Sequence, residues 1–149
     1  MNYNIRKADK SDTPVLEELL IEMLKTIYNV DNPREHNFYN SNNFEKFFLN
    51  TLDICYVVEY ENSIIAFLTI EDHKDYLYLD DLAVTKAYRN KGIGTKLISE
   101  AEGYAQATNI NKIVFHVEKT NQLAYQLYLR LGYTEDIDEG TRIRMCKII

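Results

Sequence analysis

Two groups of residues in this chain have types and spacing that suit chemistry. The first is Arg89-Asn90-Lys91-Gly92-Ile93-Gly94, which opens a segment with Ile93, Leu97, Ile98, Ala101, Tyr104 and Ala105 at helical spacing. A strand that feeds a glycine turn and then a helix start is an anion site. The first-turn N–H groups lack intrahelical partners and sit at the positive end of the helix dipole. Gly92 and Gly94 remove Cβ atoms that would hold a diphosphate away, and Arg89, Lys91 and Lys96 add positive charge. The second group is Asp80-Asp81 inside the otherwise apolar strand Tyr76 to Val84. Two carboxylates there are costly to bury alone, which argues against a purely structural role.

The turn lacks the third glycine of a dinucleotide fingerprint and the Gly-Lys-Ser/Thr ending of a P-loop. It fits R/Q-x-x-G-x-G/A. An apolar strand, Ile113 to Val117, follows, and then Asn121-Gln122-Leu123-Ala124-Tyr125-Gln126-Leu127-Tyr128-Leu129-Arg130-Leu131-Gly132-Tyr133, which fits N-x-x-A-x-x-L-Y-x-x-x-G-F/Y. These two motifs in this order resemble the GNAT superfamily of acyl-CoA N-acyltransferases, closely from Tyr76 to Tyr133 and in outline elsewhere.

The resemblance implies an α/β fold with a mixed, twisted sheet of six or seven strands flanked by about four helices. It implies acetyl-CoA as cosubstrate and no metal. The coenzyme would be held by Arg89, Asn90, Lys91, Gly92, Ile93, Gly94 and Thr95, with Asn121 and Tyr128 along the pantetheine arm. A backbone N–H at Leu82, Ala83 or Val84, freed where the central strand splays from its neighbour, would meet the developing oxyanion. Tyr128 would protonate the leaving thiolate, with Tyr125 as a less favoured substitute. Histone-type members of the superfamily place a glutamate base where this chain has Tyr78. Asp80 and Asp81 instead resemble the acidic residues of polyamine and aminoglycoside acetyltransferases, and by that resemblance would bind or deprotonate the acceptor amine, directly or through water. In a regular strand Asp80 shares a face with Tyr78 and Leu82 while Asp81 does not, a parity that a bulge would break.

Composition narrows the acceptor. The formal net charge of −6 argues against nucleic acid and suits a small cationic amine such as a polyamine or an aminoglycoside. Peptide or protein N-acetylation is the alternative, and a non-catalytic acyl-CoA-binding module is a further one. Cys55 and Cys146 read as small buried hydrophobes, and His36, His73 and His116 have no metal-ligand spacing and receive no role. Dimers are common among proteins of this resemblance. No apolar run approaches membrane-spanning length, and the start MNYNIRKADK resembles neither a signal nor a transit peptide, so a single cytoplasmic domain over residues 1–149 is expected.

The elements that must position these groups follow from periodicity and turn chemistry. Tyr3 to Ala8 reads as a strand. Thr13 as cap and Pro14 at the first helical position begin a helix that carries Val15, Leu16, Leu19, Leu20, Met23, Leu24 and Ile27 to about Tyr28. A polar loop from Asn29 leads into a second helix, Asn43 to Thr51, faced by Phe44, Phe47 and Phe48. Asp31, Glu35 and Glu45 from this region are candidates for an amine pocket. Ile54 to Tyr60 and Ile64 to Asp72 form a hairpin across Glu61-Asn62-Ser63, and Tyr76 to Val84 completes an antiparallel meander. Leu123, Ala124, Leu127, Tyr128 and Leu131 form one helical stripe ending at Gly132 as a C-cap. Tyr133 to Asp138 and Ile143 to Ile149 read as a final hairpin.

Overall fold

The computed structural model describes residues 1–36, 44 and 52–149. Its seven strands are β1 (Asn4–Lys7), β2 (Asp53–Tyr60), β3 (Ser63–Asp72), β4 (Leu77–Val84), β5 (Lys112–Glu118), β6 (Thr134–Asp138) and β7 (Arg142–Ile148). Three α-helices lie among the described residues: α1 (Thr13–Tyr28), α2 (Ile93–Ala107) and α3 (Gln122–Arg130). The helix expected over 43–51 falls outside the described residues except for Phe44, which is buried with its ring edge-on to Phe67 at 5.3 Å.

All seven strands form one mixed sheet in the order β1-β2-β3-β4-β5-β7-β6. β1 to β4 pair antiparallel, as the meander requires, and β2 turns into β3 through Glu61 and Asn62, both at positive φ. After α2 crosses over, β5 pairs parallel to β4. Leu16, Leu19, Leu20 and Leu24 of α1 pack on one sheet face against Val57, Phe67 and Ala83. Leu97, Ile98, Ala101 and Ala105 of α2 pack on the other against Leu68, Ile70, Leu77 and Leu79, and α3 leans Ala124, Tyr128 and Leu131 onto that same cluster.

Two local expectations change and one holds. Helix α1 begins one residue earlier than the Thr13 cap implies, because Asp9 and Asp12 form a reciprocal capping box on a short 3-10 turn that runs straight into it. Leu123 leaves the apolar stripe of α3 and stands 82% exposed. Gly132, at φ +92, does follow the C-cap Leu131 as read from the sequence.

Candidate functional site

The site forms where two central strands part. β4 and β5 are paired only at Leu77–Ile113, Tyr78–Val114 and Leu79–Phe115. Beyond Leu79, β4 stays with β3 up to Val84, while β5 stays with β7 up to Glu118. The segment Leu82 to Val84 therefore runs along an opening that has no β5 partner.

A cleft of about 340 Å³ occupies this opening, lined by Leu82, Ala83, Val84 and Arg89 on one side, Met23, Thr26 and Ile27 of α1 beneath, and Thr120, Asn121, Gln122 and Leu123 on the other. The exposure of Leu123 is explained here, because it stands at the lip of the cleft instead of in the core. Asn121 caps α3, its Oδ1 accepting the Ala124 N–H at 3.4 Å, and so presents the start of that helix to the cleft.

The glycine turn closes one end. Gly92, at φ +80, is the N-cap of α2; no side chain caps this helix and no acidic residue lies in its first turn. A Cβ at Gly94 would meet only Leu127 and Leu82, each at 3.8 Å, so the fold itself leaves room for a side chain there. Uncapped N–H groups, an open glycine and Arg89 together make a site for a bulky anion. Arg89 is held in place: its Nε donates to the Val84 carbonyl at 2.8 Å, and its Nη2 lies 3.4 Å from Glu22 of α1.

Asp80 and Asp81 sit on a bulge. Leu68 pairs with Leu82 and Ile70 with Leu79, so β4 carries one residue more than β3 at this point, and the Asp81 N–H donates to Thr69 Oγ1 at 2.9 Å. Leu79 and Leu82 consequently both face the α2 side of the sheet. Counting forward from Leu79 places Asp80 on the α1 face, and counting back from Leu82 places Asp81 there too. The expected parity is thereby corrected: Leu82 does not share a face with Tyr78 and Asp80, and both aspartates do.

The two aspartates line a notch of about 20 Å³ with Leu82, Phe115, His116 and Tyr128, room for about one water. Tyr128 packs its ring on Phe115 at 4.1 Å between centroids, and burial pushes its phenol above the usual range. Tyr125 is engaged elsewhere, its hydroxyl donating to Glu135 at 2.7 Å. Asp31 and Glu35 lie exposed on the surface, and Glu45 is outside the described residues.

One arrangement escaped the sequence reading. Tyr78 and His116 project from neighbouring strands and join Tyr78 Oη to His116 Nδ1, while His116 Nε2 lies 3.0 Å from Glu139 of the β6–β7 turn. Burial, and then the charge of Asp80, push the Tyr78 phenol up to about 12. The hydrogen bond to His116, followed by that from Arg142 at 3.0 Å, holds the Glu139 carboxyl below its ordinary value. His116 lies 38 residues from Tyr78 and 23 from Glu139. The available signal was alternation alone, which turns His116 away from the apolar Phe115 and Val117.

Among the described residues no group of His, Cys, Asp and Glu is arranged to hold a metal, and no helix is long and apolar enough to cross a membrane. Cys55 and Cys146 are both free, and burial pushes the Cys55 thiol up to about 12, which leaves it a small hydrophobe.

The profile of the acetyltransferase (GNAT) family matches residues 20–133. An uncharacterized N-acetyltransferase of Methanocaldococcus jannaschii is 29% identical over 132 residues, which covers 88% of this chain and 78% of that protein. N-alpha-acetyltransferase 30 of Xenopus laevis is 39% identical over 59 residues, 40% of this chain but only 22% of that larger protein. Among solved structures, the PaiA N-acetyltransferase of Thermoplasma acidophilum in complex with coenzyme A superposes over the full length of both chains with a TM-score of 0.88 at 21% identity. The NAA60 protein of Arabidopsis thaliana in complex with a bisubstrate analogue does so over 99% of each chain, with a TM-score of 0.74 at 18% identity.

Proposed function

Since this chain belongs to the GNAT acetyltransferase family, we propose that it moves an acetyl group from acetyl-CoA to a primary amine by direct transfer, with both substrates bound together. The observation that carries this reading is the parting of β4 and β5 after Leu79 and Phe115. It joins an uncapped helix N-terminus and Arg89 at one end of the opening to Tyr128, Asp80 and Asp81 in the notch at its root.

The residues present fit the coenzyme. Arg89 to Thr95 would take the pyrophosphate, with Gly94 allowing close approach, and Asn121 would adjoin the pantetheine arm along the cleft. When bound, acetyl-CoA supplies an acyl carbon activated as a thioester. Backbone N–H groups of Leu82 to Val84 meet the charge that develops on the acyl oxygen. Tyr128, kept protonated by burial, holds the proton that the leaving sulfur takes. Asp80 and Asp81 face the acceptor side and bind or deprotonate the amine.

A small cationic amine is the acceptor we favour, supported by two carboxylates on one face of the bulge and by the net charge of −6. A peptide amine is the second reading, favoured by the likeness to N-alpha-acetyltransferase 30. Thiol release from acetyl-CoA, measured against polyamines, aminoglycosides and short peptides, separates the two. Silence across the panel, with acetyl-CoA still raising the melting temperature, would sink both acceptor readings. Tyr128→Phe should lower kcat by about a hundredfold with coenzyme affinity kept.

A further inference from the structure

We propose that Glu139 is a positioning residue for acetyl transfer: it fixes the tautomer of His116, and the pair Tyr78–His116 then carries the acceptor's proton away from the notch. The inference rests on the reading of the protein as an amine acetyltransferase and adds to it a residue outside both sequence motifs.

The geometry gives each atom one role. Glu139 is a carboxylate clamped by Arg142 Nε at 3.0 Å, so toward His116 it can only accept. Nε2 must then carry the imidazole hydrogen, which leaves Nδ1 as the acceptor of the Tyr78 hydroxyl. Tyr78 and Asp80 are two residues apart on the α1 face of β4, ahead of the bulge, and His116 and Asp80 both line the notch. The chain of groups therefore runs from the notch to the β6–β7 turn, where Glu139 is 30% exposed.

Proton movement balances along this chain. A cationic acceptor gives one N–H proton to Tyr78 Oη before its nitrogen bonds to the acyl carbon, and the second, lost as that bond forms, replaces the proton that Tyr128 gives to the sulfur. The original Tyr78 proton passes to His116 Nδ1. The imidazolium so formed keeps its Nε2–H on the Glu139 carboxylate and is stabilised by that charge, and loss of its Nδ1 proton to solvent restores the starting tautomer. Other charged groups around His116 among the described residues include Asp80 and Asp81 of β4, Glu118 two residues along β5 and bonded to the Tyr28 hydroxyl of α1, Arg142, and Arg144, which stands opposite His116 on β7 and is itself paired with Asp136.

Two measurements on the full chain test this. The ¹⁵N shifts of the His116 ring should show the Nε2–H form in the wild type and a mixture in Glu139→Gln, since an amide can either donate or accept. In turnover, Glu139→Gln should lose about tenfold in kcat at neutral pH with KM for both substrates little changed. That loss should shrink as the pH approaches the pKa of the amine, where the acceptor arrives deprotonated, and Glu139→Asp should recover part of it. A His116 ring in the Nδ1–H form, a tautomer unmoved by Glu139→Gln, or a loss equal at every pH would overturn the proposal. A wild type that transfers to no amine while showing the expected tautomer would remove the transferase reading and, with it, the relay's task. An active wild type with an unaltered Glu139→Gln variant would remove Glu139 alone.

Discussion

Glu22 in the middle of α1 and Arg89 at the head of the glycine turn are held 3.4 Å apart, and the same carboxylate accepts the Lys86 N–H at 2.8 Å and the Thr85 hydroxyl at 3.0 Å. One side chain thus ties the first helix to the loop that leaves β4, fixing where the guanidinium stands relative to the cleft. Glu22→Ala hands all three donors to water and frees the loop. Stability should fall by about 1 kcal/mol in a urea titration. The Kd for coenzyme A, by calorimetry, should rise several-fold while kcat at saturation stays near that of the wild type. An unchanged Kd would mean that the Val84 carbonyl alone sets Arg89.

The two glycines of the turn carry opposite expectations. Gly92 adopts φ +80, so an alanine there is strained, and Gly92→Ala should destabilise the fold by about 1 kcal/mol. Gly94 is helical and its added Cβ touches Leu127 and Leu82 at ordinary contact distance. Gly94→Ala should therefore keep or raise the melting temperature. Coenzyme affinity should nonetheless fall about tenfold, because on the proposed function the lost space is that of the diphosphate. A Gly94→Ala variant with wild-type affinity would place the phosphates elsewhere.

The legibility of these features in sequence follows how local their causes are. The open, uncapped start of α2 is legible because Arg89, Gly92 and Gly94 lie within six residues and act through the backbone they share. The antiparallel meander was readable from alternation and from the Glu61-Asn62 turn. The start of α1 differs from the sequence reading because a 3-10 turn capped by Asp9, outside the apolar period, runs straight into the helix. The facing of Asp81 was misjudged because the bulge is set by Thr69 on the adjacent strand. Tyr78, His116 and Glu139 meet only through the parallel pairing of β4 with β5 and the return of the β6–β7 turn, which no short window of sequence contains.

Acid should weaken the N-terminal tie of the sheet. Arg6 of β1 donates to Asp12 at 2.8 Å and 3.1 Å, and this hydrogen bonding, against the opposing effect of burial, holds the Asp12 carboxyl below its ordinary value. A carboxyl depressed in the folded state adds stability above its unfolded pKa and loses it as pH falls through the folded one. Asp12→Asn should thus cost about 1–2 kcal/mol at neutral pH. In urea titrations the gap between variant and wild type should narrow as the pH falls through the ordinary carboxylate range and close once Asp12 is protonated in the folded state as well. A gap that persists in strong acid would assign the effect to packing and not to charge.

Thr69 gives the bulge its own test. Its side chain is fully buried and its hydroxyl accepts the Asp81 N–H at 2.9 Å, the bond that stands where the regular ladder is interrupted. Valine has nearly the same shape and offers no acceptor, so Thr69→Val leaves a partly buried N–H without its partner. The expected loss of stability is about 1–3 kcal/mol. The bulge also turns both aspartates to the α1 face, so a relaxed register would move Asp81 relative to Asp80 and the notch. Transfer to the amine should fall with a raised KM for the acceptor, while the Kd for coenzyme A, read at the far end of the opening, should hold. A variant that loses stability but keeps its acceptor KM would separate the bulge from recognition of the amine and leave Thr69 a structural residue.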